Sequence, residues 1–266
     1  MIAILIIIVV IFLLWLFLIA PKKKKEMKKY ENVYYAHRGL HNTERAENSM
    51  SAFKAAVDGG YGIELDIRLS KDSQLVVFHD DTLNRVCGRE GKVIDFTAEE
   101  LATFKLRGTD DGIPLFSDVL KLVDGKIPLL VEIKENPGDS AVSLATCEML
   151  KDYKGDFIIE SFNPLSLKTV KKNFSRVPRG ILSHRYYEYE QFRKPLYFAL
   201  QSLLLNFLCR PAFIAYDHKH AKSFALRFVR KFFRVPTLAW TVRSAEEEKI
   251  ARENGFDGII FENYIP

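Results

Sequence analysis

The sequence predicts an α/β fold, a TIM-type (β/α)8 barrel behind a single N-terminal membrane helix. Three observations carry this expectation. Nine short apolar runs recur between residues 33 and 261, helical stretches fill the gaps between them, and Met1 to Ala20 contain no charged or strongly polar side chain. Alternation of this kind over about 240 residues is what a barrel of parallel strands and outer helices requires. A doubly wound open sheet is the alternative. No Gly-x-Gly-x-x-Gly follows the first strand, which removes its simplest dinucleotide-binding form.

The elements can be taken in chain order. Residues 1–20 are long enough as a helix, about 30 Å at about 1.5 Å per residue, to match a bilayer's hydrocarbon core. A secretory signal has a basic start, a shorter apolar core and a small-x-small end. Here the apolar run starts at Met1 and ends Leu18-Ile19-Ala20-Pro21, so an uncleaved anchor is expected. It holds no glycine, so a Gly-xxx-Gly dimer face is absent. Residues 21–30 form a basic linker with Lys22, Lys23, Lys24, Lys25, Lys28 and Lys29. Less Glu26, these lysines supply the whole formal charge of +5, and residues 31–266 carry 33 basic and 33 acidic side chains. A neutral domain argues against nucleic-acid binding, and the composition excludes a freely soluble, disordered or fibrous chain. Lysines on the C-terminal side of the anchor place residues 31–266 in the cytoplasm by the positive-inside rule. The localisation expected is the cell membrane, single-pass.

The strand runs are Val33–Ala36, Gly62–Ile67, Leu75–Phe78, Ile127–Ile133, Phe157–Glu160, Arg179–Leu182, Phe213–Tyr216, Pro236–Trp240 and Gly258–Phe261. Helices are expected at Ser49–Val57, Ala98–Phe104, Phe116–Val123, Ser140–Lys151, Pro164–Asn173 and Ala245–Asn254. Only seven residues separate the second and third strands, too few for a parallel crossover, so these two form a hairpin and the barrel is irregular. Cys87, Cys147 and Cys209 are odd in number and at no metal-ligand spacing, which suits reduced thiols in a reducing compartment. Two further stretches are amphipathic. Pro195–Cys209 is uncharged, and as one helix would set Leu196, Leu200, Leu203, Leu204, Phe207 and Leu208 opposite Gln201, Ser202 and Asn206. Lys219–Arg234 carries six basic residues and no acid, and reads either as an interfacial helix or as an outer barrel helix. Residues 195–210 are expected to touch the bilayer, since an apolar insertion there has no evident core to enter.

Polar residues gather at the carboxyl ends of the strands: His37-Arg38-Gly39, Glu64-Leu65-Asp66, His79-Asp80, Glu132-Ile133-Lys134 and Glu160-Ser161-Phe162. Residues i and i+2 of a strand share a face, so Glu64 projects with Asp66, and Glu132 with Lys134. Carboxylates on otherwise apolar strands point into the barrel, where unpaired charge is costly. Glu64, Asp66 and Glu132, with no Cys or His at ligand spacing, suit one hard cation, Mg²⁺ or Ca²⁺. His37 and His79 beside them are placed for general acid and base work, and Arg38 and Lys134 suit a phosphoryl group. Together they have what phosphodiester hydrolysis needs.

The ordered set of motifs resembles the glycerophosphodiester phosphodiesterase family. It includes His37-Arg38-Gly39, Glu47-Asn48-Ser49, Glu64-Leu65-Asp66-Ile67-Arg68 and Val76-Val77-Phe78-His79-Asp80. It continues with Ile113-Pro114-Leu115, Val131-Glu132-Ile133-Lys134, Ser161-Phe162-Asn163, Trp240-Thr241-Val242 and Gly258-Ile259-Ile260, and so covers residues 33–261. The resemblance implies a TIM barrel with a small insertion at 80–113, after the second histidine. It implies His37 and His79 as the acid/base pair, and Glu64, Asp66 and Glu132 as metal ligands. Arg38 and Lys134 match phosphate-contacting positions, with Trp240 and Phe162 on the substrate side. The expected substrate is a glycerophosphodiester, cleaved to sn-glycerol 3-phosphate and an alcohol. The alternatives are a lysophospholipid, as for a lysophospholipase D, or a non-catalytic tethered barrel. No protein partner is expected. The chain departs from the family at Ala46, Ser49, Arg243 and Phe261-Glu262-Asn263, around the pocket rim. His41, His184, His218 and His220 join no carboxylate motif and are expected at the surface or behind the site. Glu160 and Glu47 are each balanced between pocket and structural roles, and Asp80 and Asp81 are expected to cap the loop after His79.

Overall fold

The computed structural model describes residues 1–22 and 25–266; Lys23 and Lys24 of the basic stretch lie outside the described residues. Among the described residues nine strands form: β1 Tyr34–Ala36, β2 Gly62–Leu69, β3 Leu75–Val77, β4 Leu129–Ile133, β5 Phe157–Ser161, β6 Arg179–Ser183, β7 Phe213–Asp217, β8 Thr237–Val242 and β9 Gly258–Phe261. Eight of them, all but β3, are parallel and close into a barrel through the pairings of β1 with β2 and β9. The TIM fold is therefore as the sequence predicts. The expected hairpin of β2 and β3 forms as well and supplies the one antiparallel strand. Ile63 pairs with both Ala36 and Leu129, whereas Ile67 pairs with both Val77 and Ile133. The antiparallel β3 thus takes over the edge of β2 that β1 vacates, and the barrel itself stays parallel.

Alternation along the strands sorts the core into two shells. Ile63, Leu65, Ile67, Leu129, Val131 and Ile133 face the outer helices. Tyr35, Leu130, Ile158, Leu182, Phe213, Leu238 and Ile260 fill the interior. Gly180 is needed there, because a Cβ on it would meet the Phe213 ring at 2.2–2.5 Å. The outer helices start where short polar residues can hold free backbone N–H groups. Ser49 accepts from Ala52 N, Asn163 from Leu165 N and Ser244 from Glu247 N. Residues 80–113 build a satellite core of their own, with Leu83, Val86, Val93, Leu101 and Phe104 packed beneath Phe78.

The expected linker is partly structural. Its turn Lys25–Tyr30 buries Met27 and Tyr30 in the barrel floor against the interior cluster, and Tyr30 Oη donates to the Phe157 carbonyl at 2.9 Å.

The apolar helix spans Ile2–Ile19, and its last turns dock on the barrel. Trp15 packs edge-on to Phe228 at 4.4 Å, Phe17 lies 6.1 Å from Phe207, and Ile19 is fully buried. Asn206 Nδ2 donates to the Ile19 carbonyl at 3.0 Å, and Arg210 Nη1 donates to Phe17 and Ala20 carbonyls at 2.8 and 3.0 Å. These bonds satisfy carbonyls that a helix end leaves open.

Two expected helices are broken. Pro195–Cys209 is two short helices, Pro195–Gln201 and Asn206–Cys209, because Leu203 adopts a left-handed backbone (φ +59°) between them. The single-helix plot therefore misplaces Leu203 and Asn206, both buried, while Leu196 is exposed, as a lipid-facing residue would be. Lys219–Arg234 becomes a turn at His218–His220, the helix Phe224–Phe228 and a wider π-turn, Val229–Phe233. Ala225, Leu226 and Val229 pack inward as a barrel helix requires, while Phe224 and Phe232 stay exposed.

Candidate active site

The register brings the acidic residues together. Asp66 lies beside Glu132 across β2 and β4, and Glu132 beside Glu160 across β4 and β5. All three point inward by strand parity, as does Glu64, two residues before Asp66. Glu64, Asp66 and Glu132 offer carboxylate oxygens within 4.8 Å of one another, all buried. Glu64, Glu132 and Glu160 line a cavity of about 240 Å³ with His37, Arg38, His79, Lys134, Phe162 and Trp240, at the carboxyl ends of the strands, and Asp66 lies just behind its wall beside Glu132.

Each group has a support. Arg38 holds a left-handed backbone (φ +56°), which aims its own N–H at Glu64 Oε2, 2.9 Å away. Its guanidinium lies 3.4 Å from Asp66 and 2.7 Å from Glu47. Buried Asn48 donates to Asp66 Oδ2 at 2.8 Å. Lys134 Nζ sits 2.6 Å from Glu132 and 3.1 Å from Asp66. His37 Nδ1 is 2.6 Å from Glu262 Oε2, and Glu262 Oε1 accepts from Arg243 Nε at 2.6 Å. His79 Nδ1 is 2.6 Å from Asp80 Oδ1, and Arg68 clamps the His79 carbonyl with two bonds of 2.8 and 3.0 Å.

Sequence reasoning missed four of these supports. Glu262 orients His37 from the far end of the chain, Arg243 holds Glu262, and Asn48 orients Asp66. Asp80 does not cap a loop as expected but orients His79. Glu47 belongs to the pocket network: it bridges Arg38 and Arg85, and Arg85 also grips Asp80 at 2.7 Å. The insertion supplies Arg85, so one chain of ion pairs runs from Arg38 to His79. The residue-level signals were Asn48 inside its motif and Asp80 next to His79; nothing local marked Glu262. His41 is nearer the site than expected, with Nε2 3.8 Å from Glu262. His184 stands in an aromatic wall, 6.0 Å from Trp240 and 6.1 Å from Phe162, which itself meets Trp240 edge-on at 5.5 Å.

The electrostatics ask for a cation. Burial, with Asp66 and Glu132 alongside, pushes Glu64 well above the ordinary carboxylate range. Burial raises Glu132 to about 7 despite Lys134. Burial and the neighbouring Glu132 and Glu64 raise Glu160, whose Oε2 has no hydrogen-bond partner among the described residues. Burial alone would raise Asp66 too, but Lys134, His79 and Arg38 outweigh it and hold Asp66 far below its usual range. Burial lowers His37, opposed by Glu262, and takes His79 down to about 4. Three acidic side chains crowded in one buried layer stay ionised together only with added positive charge. The all-oxygen donor set fits a hard divalent ion.

The profile of the glycerophosphoryl diester phosphodiesterase family matches residues 37–265. The chain belongs to this family. The family is a divalent-metal-dependent one, in keeping with the acidic cluster. A glycerophosphodiester phosphodiesterase of Caldanaerobacter subterraneus subsp. tengcongensis is 37% identical over 166 residues, 57% of this chain and 67% of that protein. A lysophospholipase D of Rattus norvegicus is 31% identical over 147 residues, 50% of this chain and 46% of that protein. The matches thus span about half to two thirds of these relatives' own lengths. Among solved structures, the family member from Thermotoga maritima superposes with a TM-score of 0.67 at 26% identity, covering 86% of this chain and 94% of that one.

Proposed function

We propose that the chain hydrolyses glycerophosphodiesters to sn-glycerol 3-phosphate and an alcohol, in glycerophospholipid metabolism at a membrane. The observation that carries this reading is one pocket holding three converging carboxylates and two histidines, each histidine held at Nδ1 by its own carboxylate at 2.6 Å. Glu64, Asp66 and Glu132 would hold one divalent cation, Mg²⁺ or Ca²⁺. When bound, such an ion supplies Lewis acidity and offsets phosphoryl charge.

The remaining work falls to the chain's own residues. With Nδ1 engaged by Glu262 or Asp80, each imidazole presents Nε2 to the cavity. A neutral imidazole takes the proton of the attacking water, and its protonated counterpart delivers one to the departing alkoxide. His37 and His79 fill these roles. Arg38 and Lys134 hold phosphoryl oxygens, and Phe162 and Trp240 close the substrate side. Trp240 Nε1, buried in the pocket wall without a hydrogen-bond partner among the described residues, is a donor for the substrate. A non-catalytic barrel is disfavoured by the intact support of both histidines.

The apolar helix Ile2–Ile19 is read as a single membrane span, with the lysines after it setting the barrel domain on the cytoplasmic side. The activity named for the rat relative is read here as the same bond cleavage on a diester that keeps one acyl chain. The test is phosphate-ester release from glycerophosphocholine and glycerophosphoethanolamine by the full chain, with and without chelator. Activity should vanish in excess EDTA and in His37→Ala; full activity in either would overturn the mechanism.

A further inference from the structure

A second cavity of about 560 Å³, lined mainly by apolar and aromatic side chains with Glu135, Asn163 and His184 among them, lies beside the catalytic one. Pro137, Pro164 and Tyr186 place it just beyond the carboxyl ends of β4, β5 and β6, on the catalytic face. Its outer wall is Leu196, Leu200, Leu205 and Leu208, from the two short helices that replace the expected single one. Phe162 lines both cavities, so the apolar groove and the ionic pocket adjoin at its ring.

The second of these helices also holds the membrane helix, through Asn206 and Phe207. The direction of that helix decides what meets the groove. Lys22 N donates to the Pro211 carbonyl, just before β7 begins, whereas Trp15 shares a cleft with Tyr216 and Lys219, at the carboxyl end of β7. The helix therefore climbs the barrel wall towards the catalytic face. Residues 1–14 beyond it are apolar and exposed, with no polar spacer after the docked Trp15. The exposed apolar helix thus leaves the barrel at the level of the rim, where Leu196, Phe198 and Phe224 are also exposed (57%, 49% and 73%), and brings a lipid surface to the catalytic face.

We propose that this groove binds the single acyl chain of a lysophospholipid drawn from the bilayer, while its phosphodiester occupies the catalytic pocket. The inference rests on the phosphodiesterase reading above. At about 30 Å³ per methylene-sized unit, the size of a water molecule's share of liquid, the groove takes one chain of about 18 carbons and no second. Water adds across the phosphorus–oxygen bond to the headgroup. The phosphorus gains the water's oxygen, the headgroup alkoxide leaves with a proton, and the acylated glycerol keeps its phosphate. The substrate must come from a reaction that removes one acyl chain from a two-chain phospholipid.

The experiment compares glycerophosphocholine, C16 lysophosphatidylcholine and two-chain phosphatidylcholine with the full chain in lipid nanodiscs. The wild type should favour the lysophospholipid over glycerophosphocholine at least 100-fold in kcat/KM and leave the two-chain lipid intact. Leu196→Asp, and separately the groove-filling Leu205→Trp, should cost at least tenfold on the lysophospholipid. Both should stay within twofold of wild type on glycerophosphocholine, which also reports that they fold. Equal losses on both substrates, no loss on the lysophospholipid, or rapid cleavage of the two-chain lipid would overturn the proposal. A wild type that cleaves only glycerophosphocholine overturns the groove assignment alone, and one that cleaves neither overturns the phosphodiesterase reading with it.

Discussion

Replacing Glu64 by Gln tests the metal cluster more directly than any loss of activity can. Glu64 is fully enclosed, and burial with Asp66 and Glu132 already pushes its carboxyl towards the neutral form. Gln has nearly the same shape and can accept the Arg38 N–H bond now made at 2.9 Å. Without metal, the variant should therefore be as stable as the wild type, or more so, since a source of like-charge repulsion is gone. With metal the two should separate. A ligand that binds only the folded state at 100 times its Kd adds about 2.7 kcal/mol. For a domain of this size that is a rise of about 5–11 °C in Tm, at about 2–4 °C per kcal/mol. The wild type should show it with Mg²⁺ or Ca²⁺ and lose it in EDTA. Glu64→Gln should show neither the shift nor activity. Scanning calorimetry of the full chain in detergent, with phosphate-ester release on the same samples, reads both. A variant that keeps the metal-induced shift and the activity would refute the ligand assignment.

Other expectations follow from the supports. Glu262→Gln removes the carboxylate that pulls the His37 pKa upward against burial, so that pKa should fall further. The acid limb of the kcat/KM–pH profile should move to lower pH and kcat drop about 10²-fold, the lower end for a general acid–base group; a move to higher pH would contradict the pairing. Burial tends to raise Asp80, but Arg85 and His79 outweigh it and hold the carboxyl at about 2, below about 3.9 in an unfolded chain. A depressed carboxyl stabilises the fold above the unfolded value and loses that contribution as pH falls through the folded one. Asp80→Asn should thus flatten the Tm–pH profile between about 4 and 2, and an unchanged slope would show that the pair does not matter to folding. Asn206→Leu leaves the Ile19 carbonyl unpaired in a buried place and should cost about 1–3 kcal/mol in thermal denaturation; an unaffected Tm would mean the N-terminal helix is not docked there.

Much of the barrel was legible because its cues are local. Parallel strands buried on both faces read as short apolar runs, and the observed strands overlap every expected one. Pro164, Asn163 and Ser244 mark helix starts by their own chemistry. Where the expectation failed, the cause lay elsewhere in the chain. Pro195–Cys209 has a helical pattern, yet it breaks at Leu203 so that Leu203 can enter the core and Asn206 can reach Ile19, 187 positions away in sequence. Met27 reads as part of a basic linker and becomes part of the barrel floor because the interior beneath Tyr35 and Phe213 must be filled. Arg243 and Glu262, two departures from the family pattern, prove to be one pair at 2.6 Å that together holds His37.

The alternation of Glu64, Asp66, Glu132 and Lys134 with apolar neighbours determined that an ionic cluster faces the barrel interior. That follows from the two-residue period of a strand, which no tertiary contact can alter without taking the apolar neighbours off the face that packs on the outer helices. Which groups steady that cluster was decided only when closure of the sheet brought β9 against β1, and the insertion over β3. Hydrogen bonds act over about 3 Å and carry no trace of sequence distance, so Glu262 and Arg85 had no local signature. The direction of the N-terminal apolar helix likewise depends on where its last turns find unpaired partners on the barrel wall. Its composition shows only that it is apolar and long enough to cross a bilayer.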